Sequence, residues 1–238
     1  MVTRTSLTLG YVPGATPAKW ARTWAQRRPE VPLELRAVTA AEAAADVRAG
    51  AVDVAILRPS ADTSGLAVIP LYEEKTVAVV PTGHILSAAD EITAADLDDE
   101  PTLLPEDDVV GWGDAPGVLV EHRPETTLAA IELVAAGIGV LIVPQSLARL
   151  YHRKDLTYRP IADAPTCPVA LAFLEGQQHE LVEEFIGIVR GRKASSSRGQ
   201  SESGPKRTAR EKTLAKQAAR AAAGKVARRP GRAGRGRR

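Results

Sequence analysis

TLAAIELVAAGIGVLIVPQSLA, residues 127–148, contains in order the pattern of a helix, a glycine turn, a buried strand and a second helix. The apolar side chains of the first part fall three or four residues apart, which predicts one apolar helical stripe made of Leu128, Ile131, Ala135 and Ile138. Thr127 is the candidate cap of this helix.

The glycines of this stretch predict where the helix ends. Gly137 permits the left-handed backbone that terminates helices, and Gly139 allows a tight turn. The uninterrupted apolar run from Val140 to Val143 is typical of a strand buried on both faces of a parallel sheet. Pro144 suits the first position of the following helix.

The first quarter of the chain alternates strands with helices. We expect strands at Ser6–Val12, Leu33–Val38 and Val52–Leu57, with Leu33, Leu35 and Ala37 facing inward. Between them, Thr16 and Pro17 begin a helix that runs to about Arg28, and Thr39 with Glu42 forms a capping box for a helix ending at Gly50. This order predicts a parallel α/β subdomain. Trp20 and Trp24, four residues apart, indicate core or interface packing.

The rest of the ordered pattern is richer in strands. We expect them at Leu66–Leu71, Glu74–Val80, Val118–Glu121, Leu156–Ile161 and Val169–Leu174. Thr93 is the candidate cap of a short helix through Leu97, and apolar residues at helical spacing predict a last helix at Glu180–Val189.

Three segments, LTLGYVPGATP, VPLELRAVTAAEAAADVRAGAVDVAILRP and LVAAGIGVLIVPQSLA, resemble in order and spacing the effector-binding domain of LysR-type transcriptional regulators. The resemblance runs from about Ser6 to about Arg190. It implies a type 2 periplasmic-binding-protein fold, an α/β fold with two Rossmann-like lobes and a ligand cleft between them. By this resemblance the domain spans 1–190, with lobe I at about 1–58 and 165–190 and lobe II at about 66–162.

Two features depart from that family. The chain starts at the first strand of the effector domain, so we expect no winged helix-turn-helix to read an operator. Residues 106–117, EDDVVGWGDAPG, replace a helix that helps to build the family's antiparallel dimer, which leaves a homodimer open.

The overall charge of +2 hides two oppositely charged regions. From Arg190 onward there are 17 lysines and arginines and two acids, whereas the preceding part has 14 basic and 27 acidic residues. Residues 191–238 are poor in large apolar side chains, and we interpret them as a disordered tail. The chain has one cysteine, no signal-peptide pattern and no apolar run long enough to span a bilayer, which favours a cytoplasmic protein.

The resemblance implies an effector site at the strand ends that face the cleft. The candidate ligand-binding residues are Gly14, Ala15, Thr16, Thr39, Ala40, Arg58, Val143 and Pro144. Thr hydroxyls and an Arg guanidinium suit an anionic or polar metabolite. Structural alternatives stay open, because Thr16 and Thr39 are also helix caps and Arg58 is also placed to pair with an acid such as Asp62.

Motifs for catalysis, metal binding and cofactors are missing from the sequence. It has no GxSxG, HExxH, Walker or CxxC motif, and its four histidines lack ligand spacing. Gly137 and Gly139 lie after a helix and before a strand, the reverse of a dinucleotide fingerprint. We therefore predict no enzyme activity, no catalytic residue, no metal and no cofactor.

The tail predicts a second kind of contact. The candidate nucleic-acid-binding residues are arginines separated by Gly, Ala and Pro: Arg228, Arg229, Arg232, Arg235, Arg237 and Arg238. Such segments bind phosphate backbones through counterion release. Two other interpretations stay open, a tail that only neutralises the acidic body or aids solubility, and a nucleoid or nucleic-acid-associated protein with a vestigial effector domain. The preferred hypothesis is an effector-binding protein that takes part in transcriptional regulation.

Overall fold

The strands form two five-stranded mixed sheets in the computed structural model, which describes residues 6–59, 62–176 and 179–192. The first sheet has the order β2-β1-β3-β10-β4, and its strands are β1 (Leu7–Tyr11), β2 (Leu33–Ala37), β3 (Val54–Leu57), β4 (Leu66–Glu74) and β10 (Cys167–Leu174). The strands β1, β2 and β3 pair in parallel, as the alternation of strands and helices predicted. The later strand β10 joins them antiparallel.

The second sheet has the order β7-β6-β8-β5-β9. Its strands are β5 (Thr76–Pro81), β6 (Pro101–Leu103), β7 (Val118–Leu119), β8 (Val140–Pro144) and β9 (Leu156–Pro160). All five residues of β8 are buried, as its apolar run predicted. The expectation of a parallel sheet is wrong here, because β8 pairs in parallel with β6 but antiparallel with β5.

The helices are α1 (Ala18–Arg27), α2 (Ala43–Arg48), α3 (Thr127–Ala135), α4 (Gln145–Leu150) and α5 (Glu180–Val189). Two short 3₁₀ helices span Ile85–Ala88 and Ala94–Leu97. The second of them has the predicted Thr93 at its cap position, and the Thr93 backbone N–H donates to the Asp96 carboxylate at 2.7 Å. Among the described residues, no helix is long and apolar enough to cross a membrane.

The buried stripe of α3 differs from the predicted one. The helix ends at Ala135, Gly137 follows with a φ of 76°, and Leu128 and Ile138 are each 48% exposed. Its buried residues are Thr127, Ala130, Ile131 and Val134, which is the neighbouring stripe at i, i+3, i+4 and i+7. The cap is also one residue earlier than predicted, because the Thr126 hydroxyl accepts from the Ala129 N–H at 3.1 Å.

The strand β2 is less buried than its alternation predicted. Leu33 packs against the core of the first sheet, but Leu35 is 46% exposed and Ala37 is also exposed. The strand lies at the edge of its sheet and has a neighbour on one side only, so the inward expectation for Leu35 and Ala37 is wrong.

Each sheet has its own apolar core. Trp24 is 1% exposed and contacts Phe185 of α5 in the core of the first sheet, with ring centroids 5.9 Å apart. The Trp24 indole N–H donates to the Val31 carbonyl at 2.8 Å, so the polar end of this buried ring is satisfied. Trp20 is only partly buried against the same core.

The segment that departs from the resembling family is a loop fastened to α3. Residues 104–117 contain no helix. Asp107 accepts hydrogen bonds from both the backbone N–H of Thr127, at 2.6 Å, and its hydroxyl, at 2.8 Å. At the far end of the loop the Gly117 backbone packs closely against β6, since a Cβ atom on Gly117 would lie 2.1 Å from Thr102 Oγ1. The loop therefore joins the second sheet to its main helix.

The chain passes from one sheet to the other later than the resemblance implied. We expected lobe II to begin at about residue 66, but β4 pairs with β10 in the first sheet along its whole length. The next strand, β5, begins at Thr76 and belongs to the second sheet. Lys75 is thus the only residue between the last strand residue of one sheet and the first of the other.

Candidate functional site

A cavity of about 850 Å³ lies where elements of the two sheets meet. The wall on the side of the first sheet is formed by the ends of β1, β2 and β4 and by the turn after β1: Tyr11, Pro13, Gly14, Ala15, Thr16, Ala37, Tyr72, Glu73 and Glu74. The opposite wall belongs to α4 and its end: Gln145, Ser146, Arg149, Leu150 and Tyr151. Lys75, at the passage between the sheets, completes the lining.

Three of the eight predicted ligand-binding residues line this cavity. Gly14, Ala15 and Thr16 form the turn that begins α1. The side chain of Thr16 makes no cap, because the cap position is Pro17 and receives no side-chain hydrogen bond. The Thr16 residue is exposed and faces a cavity, which is the arrangement that a ligand contact requires.

The other five predicted residues are not among those that line the cavity. Thr39 bonds locally, because its hydroxyl donates to the Glu42 carboxylate at 2.8 Å and accepts from the Glu42 N–H at 3.2 Å. Ala40 is partly buried beside it. Val143 is 2% exposed within the core of the second sheet, and Pro144 is also buried. Their predicted role as ligand contacts stays a prediction.

Arg58 pairs with an acid, although with a different one from the candidate named above. Its Nη2 atom lies 3.1 Å from Glu74 Oε2, and the two side chains are 6% and 8% exposed. Asp62 instead pairs with Arg48 at 3.0 Å. The sheet explains why Arg58 pairs with Glu74 and not with Asp62. Arg58 follows β3 and Glu74 ends β4, and these two strands flank β10 in one sheet.

Sequence reasoning missed the α4 wall and the tyrosines. Ser146 and Arg149 lie in α4, the helix that follows the predicted Val143-Pro144, so extending the candidate site along this helix would have included them. The signal for Tyr11 was its place at the carboxyl end of a parallel strand, where ligand sites of α/β sheets gather. No comparable signal marks Tyr72, because an antiparallel partner decides where β4 ends.

The phenols of the cavity are neutral hydrogen-bonding groups. Burial raises the pKa of Tyr72, the Glu74 carboxylate raises it further, and the Arg58 guanidinium acts in the opposite direction. Burial likewise raises the pKa of Tyr151, with a smaller contribution from Asp107. Both hydroxyls therefore stay protonated at neutral pH and can donate a hydrogen bond to a ligand.

The basic groups of the cavity differ in how far their charge is compensated. Lys75 lies 3.7 Å from Glu91 in an exposed ion pair. Arg149 donates from Nε to the Tyr158 hydroxyl at 3.1 Å, and within the described ranges it has no acid at ion-pair distance. Arg149 is thus the basic side chain of the lining whose charge is least compensated. Among described residues there is no group of three His, Cys, Asp or Glu side chains that could hold a metal ion.

The model of the LysR substrate binding domain matches residues 3–194. The chain is 28% identical over 204 residues to the Hca operon transcriptional activator HcaR of Escherichia coli K12, covering 79% of this chain and 68% of that protein. It is 30% identical over 155 residues to a probable hydrogen peroxide-inducible genes activator of Mycobacterium avium, covering 60% of this chain but only half of that relative, 50%.

Solved structures of the same kind share the fold. The BenM effector binding domain with its effector benzoate superimposes with a TM-score of 0.66 at 20% identity, covering 78% of this chain and 90% of that one. The oxidised form of OxyR gives a TM-score of 0.65 at 19% identity, covering 78% and 92%. The predicted two-lobed α/β fold is confirmed by these likenesses.

Proposed function

Because this chain belongs to the LysR substrate-binding domain family, we propose that it binds a small polar or anionic metabolite in the cavity between its two sheets and takes part in transcriptional regulation. The observation that carries the proposal is the cavity itself, about 850 Å³ in volume and lined on one side by the first sheet and its turns and on the other by α4, which follows β8 of the second sheet. That volume falls in the range of ordinary small-molecule sites. A ligand that contacts both walls has a different affinity for each separation of the lobes, and this difference is the signal.

Two groups of the lining suit an anion. Arg149 on one wall has an uncompensated charge within the described part of the chain, and Thr16 on the other wall offers a hydroxyl. A carboxylate held between them would also receive hydrogen bonds from Tyr72 or Tyr151, whose phenols are neutral. Arg58, the residue first expected to hold the anion, has its charge compensated by Glu74.

A thermal-shift screen of the full chain tests this proposal. Benzoate is the first probe, because the similar BenM domain is described with it as effector, and other small carboxylates follow. A ligand at one hundred times its Kd adds about 2.7 kcal/mol to the free energy of unfolding. We expect Thr16→Ala and Arg149→Gln to lose the stabilisation.

The matched control is Arg153→Gln. Arg153 is an exposed arginine near Arg149 in sequence that pairs with Asp155 and does not line the cavity. Its substitution should leave the response to the ligand unchanged. Stabilisation that survives in Thr16→Ala and Arg149→Gln alike would place the ligand elsewhere and refute the cavity as the site.

The cytoplasmic location, the lack of enzyme activity and the nucleic-acid contact of the tail are parts of the same proposal. The matching relatives named above are transcription activators, which favours regulation over catalysis. The tail arginines, from Arg228 to Arg238, lie outside the described residues, so their role rests on the composition of the sequence. Their spacing by small residues suits contact with phosphate backbones.

Salt dependence tests the tail. Binding of the full chain to duplex DNA should weaken steeply between 50 and 200 mM salt, by about a thousandfold or more if six or more phosphates are neutralised. A chain ending at Arg190 should lose this binding. Equal DNA affinity with and without residues 191–238 would refute the contact. DNA binding without any ligand response would favour the alternative of a nucleic-acid-associated protein with a vestigial effector domain.

A further inference from the structure

A buried polar cluster joins the two walls of the cavity, since Glu74 of one wall and Ser146 of the other belong to it. Arg58 and Glu74 come from strands of the first sheet, whereas Ser146 belongs to α4, which follows β8 of the second sheet. Ser146 donates to Glu74 Oε2 at 2.7 Å and accepts from Arg58 Nη2 at 3.0 Å. One hydroxyl of the second lobe is therefore bonded to both members of an ion pair of the first.

The geometry of this cluster requires a hydroxyl. A serine can accept and donate at the same time, so it fits between a cationic donor and an anionic acceptor. Hydrogen bonds to charged groups contribute more than neutral ones, and the side chains of Arg58 and Glu74 are 6% and 8% exposed, which limits screening by water. The second guanidinium nitrogen of Arg58, Nη1, donates to the Pro13 carbonyl at 3.0 Å and orients the group.

The two lobes approach each other closely around the same hydroxyl. Gly14 lies in the turn after β1, and a Cβ atom built on it would be 2.4 Å from Ser146 Oγ and 3.3 Å from Arg58 Nη2. Close to this point the backbone N–H of Gln145 donates to the Lys75 carbonyl at 2.9 Å, where the chain passes between the sheets. The Ser146 contact thus lies close to Lys75, the single residue through which the chain passes from β4 of the first sheet to β5 of the second.

We propose that Ser146 is an interlobe latch, which sets the separation of the two cavity walls by bridging the Arg58–Glu74 pair. Losing the hydroxyl leaves the ion pair intact within the first lobe and removes the two hydrogen bonds by which this cluster reaches the second lobe. The lobes then sample a wider range of separations. The latch holds the two cavity walls in position before a ligand binds. Its regulatory meaning therefore rests on the proposed function, but the latch itself exists without a ligand.

Distance measurement between spin labels tests the latch in the full chain without any ligand. Nitroxides are attached at Lys19→Cys in α1 and Glu132→Cys in α3, two exposed positions on helices of different lobes. The native Cys167 is 2% exposed, and the parent chain without added cysteines measures its background labelling. We expect Ser146→Ala to broaden or shift the distribution of distances.

The control is Ser87→Ala, which removes a serine hydroxyl that bonds within one lobe, to the Thr82 carbonyl at 2.9 Å. Its distance distribution should match that of the parent. Circular dichroism of both variants checks that they fold, which we expect for Ser146→Ala because alanine is a strong helix former in α4. A Ser146→Ala distribution that superimposes on the parent overturns the latch, even if the ligand screen succeeds. An equal change in Ser87→Ala overturns it as well.

Discussion

Replacing Gly14 by alanine tests whether the two lobes meet as closely as described. Gly14 has a φ of 84°, a conformation that side chains rarely adopt. The added Cβ atom would also come within 2.4 Å of Ser146 Oγ and 2.9 Å of Ser146 Cβ, both shorter than a van der Waals contact. The substitution therefore combines backbone strain with a collision between lobes.

A substitution at a second glycine separates the cost of the backbone strain from the cost of the collision. Gly50 has a similar φ of 69°, but nothing lies within 4 Å of the position that a Cβ atom would take, so Gly50→Ala introduces the strain alone. A left-handed residue other than glycine costs roughly 1–3 kcal/mol. Overpacking costs roughly another 1–3 kcal/mol. We expect Gly14→Ala to be less stable than Gly50→Ala by about 2 kcal/mol, which corresponds to roughly 4–8 °C in Tm for a domain of this size.

Urea unfolding followed by circular dichroism measures these differences. A double-mutant cycle with Ser146→Gly, which removes both colliding atoms, should recover about 1–2 kcal/mol of the loss in Gly14→Ala. The reasoning is refuted if Gly14→Ala costs no more than Gly50→Ala, or if the effects of Gly14→Ala and Ser146→Gly are additive. Either result would mean that the turn after β1 and the start of α4 do not touch.

Three further predictions concern stability and reactivity. Asp107→Ala should lower the free energy of unfolding by about 2 kcal/mol in urea titrations, because Thr127 loses two hydrogen bonds, whereas Glu106→Ala beside it should change the value by less than about 0.5 kcal/mol. Trp24→Ala should cost about 3–5 kcal/mol by the same measurement, since it empties a fully buried indole site, and a smaller loss would contradict the packing described for this ring. Burial raises the pKa of Cys167, so its thiolate fraction is lowered and a thiol reagent at pH 8 should modify it only at the rate of unfolding; fast labelling of the native chain would disprove its burial.

Much of the architecture followed from local patterns. Glu180–Val189 was predicted residue for residue, and Gly137 ends α3 where its conformational freedom indicated. The run from Val140 became a fully buried strand. These elements are decided by backbone sterics and by the spacing of apolar side chains, which act over a few neighbouring residues.

The errors lie where distant segments compete for the same surface. The pattern of α3 allowed two adjacent stripes, and the sheet beneath it buries the one containing Ala130 and Val134, while Leu128 stays half exposed. Leu35 has the alternation of an inward residue but lies on an edge strand. Residue types in a window cannot distinguish these cases, because burial depends on what the rest of the chain places opposite.

The sequence by itself determined the family, the α/β class, most of the strands and helices in their order and the turn at Gly14, Ala15 and Thr16, because these depend on local composition and on a register shared with other proteins. The three-residue strand β6 was not predicted. The tertiary structure decided the chemistry of the site. Only folding brings Glu74 to Arg58 across β10, and only folding brings Ser146 of the other lobe to both. From its residue type, Arg58 was expected to bind a ligand, but its charge is compensated by Glu74 within the protein. The less compensated charge is that of Arg149. Ion pairs and hydrogen bonds depend on separations of a few ångströms, which sequence spacing does not encode.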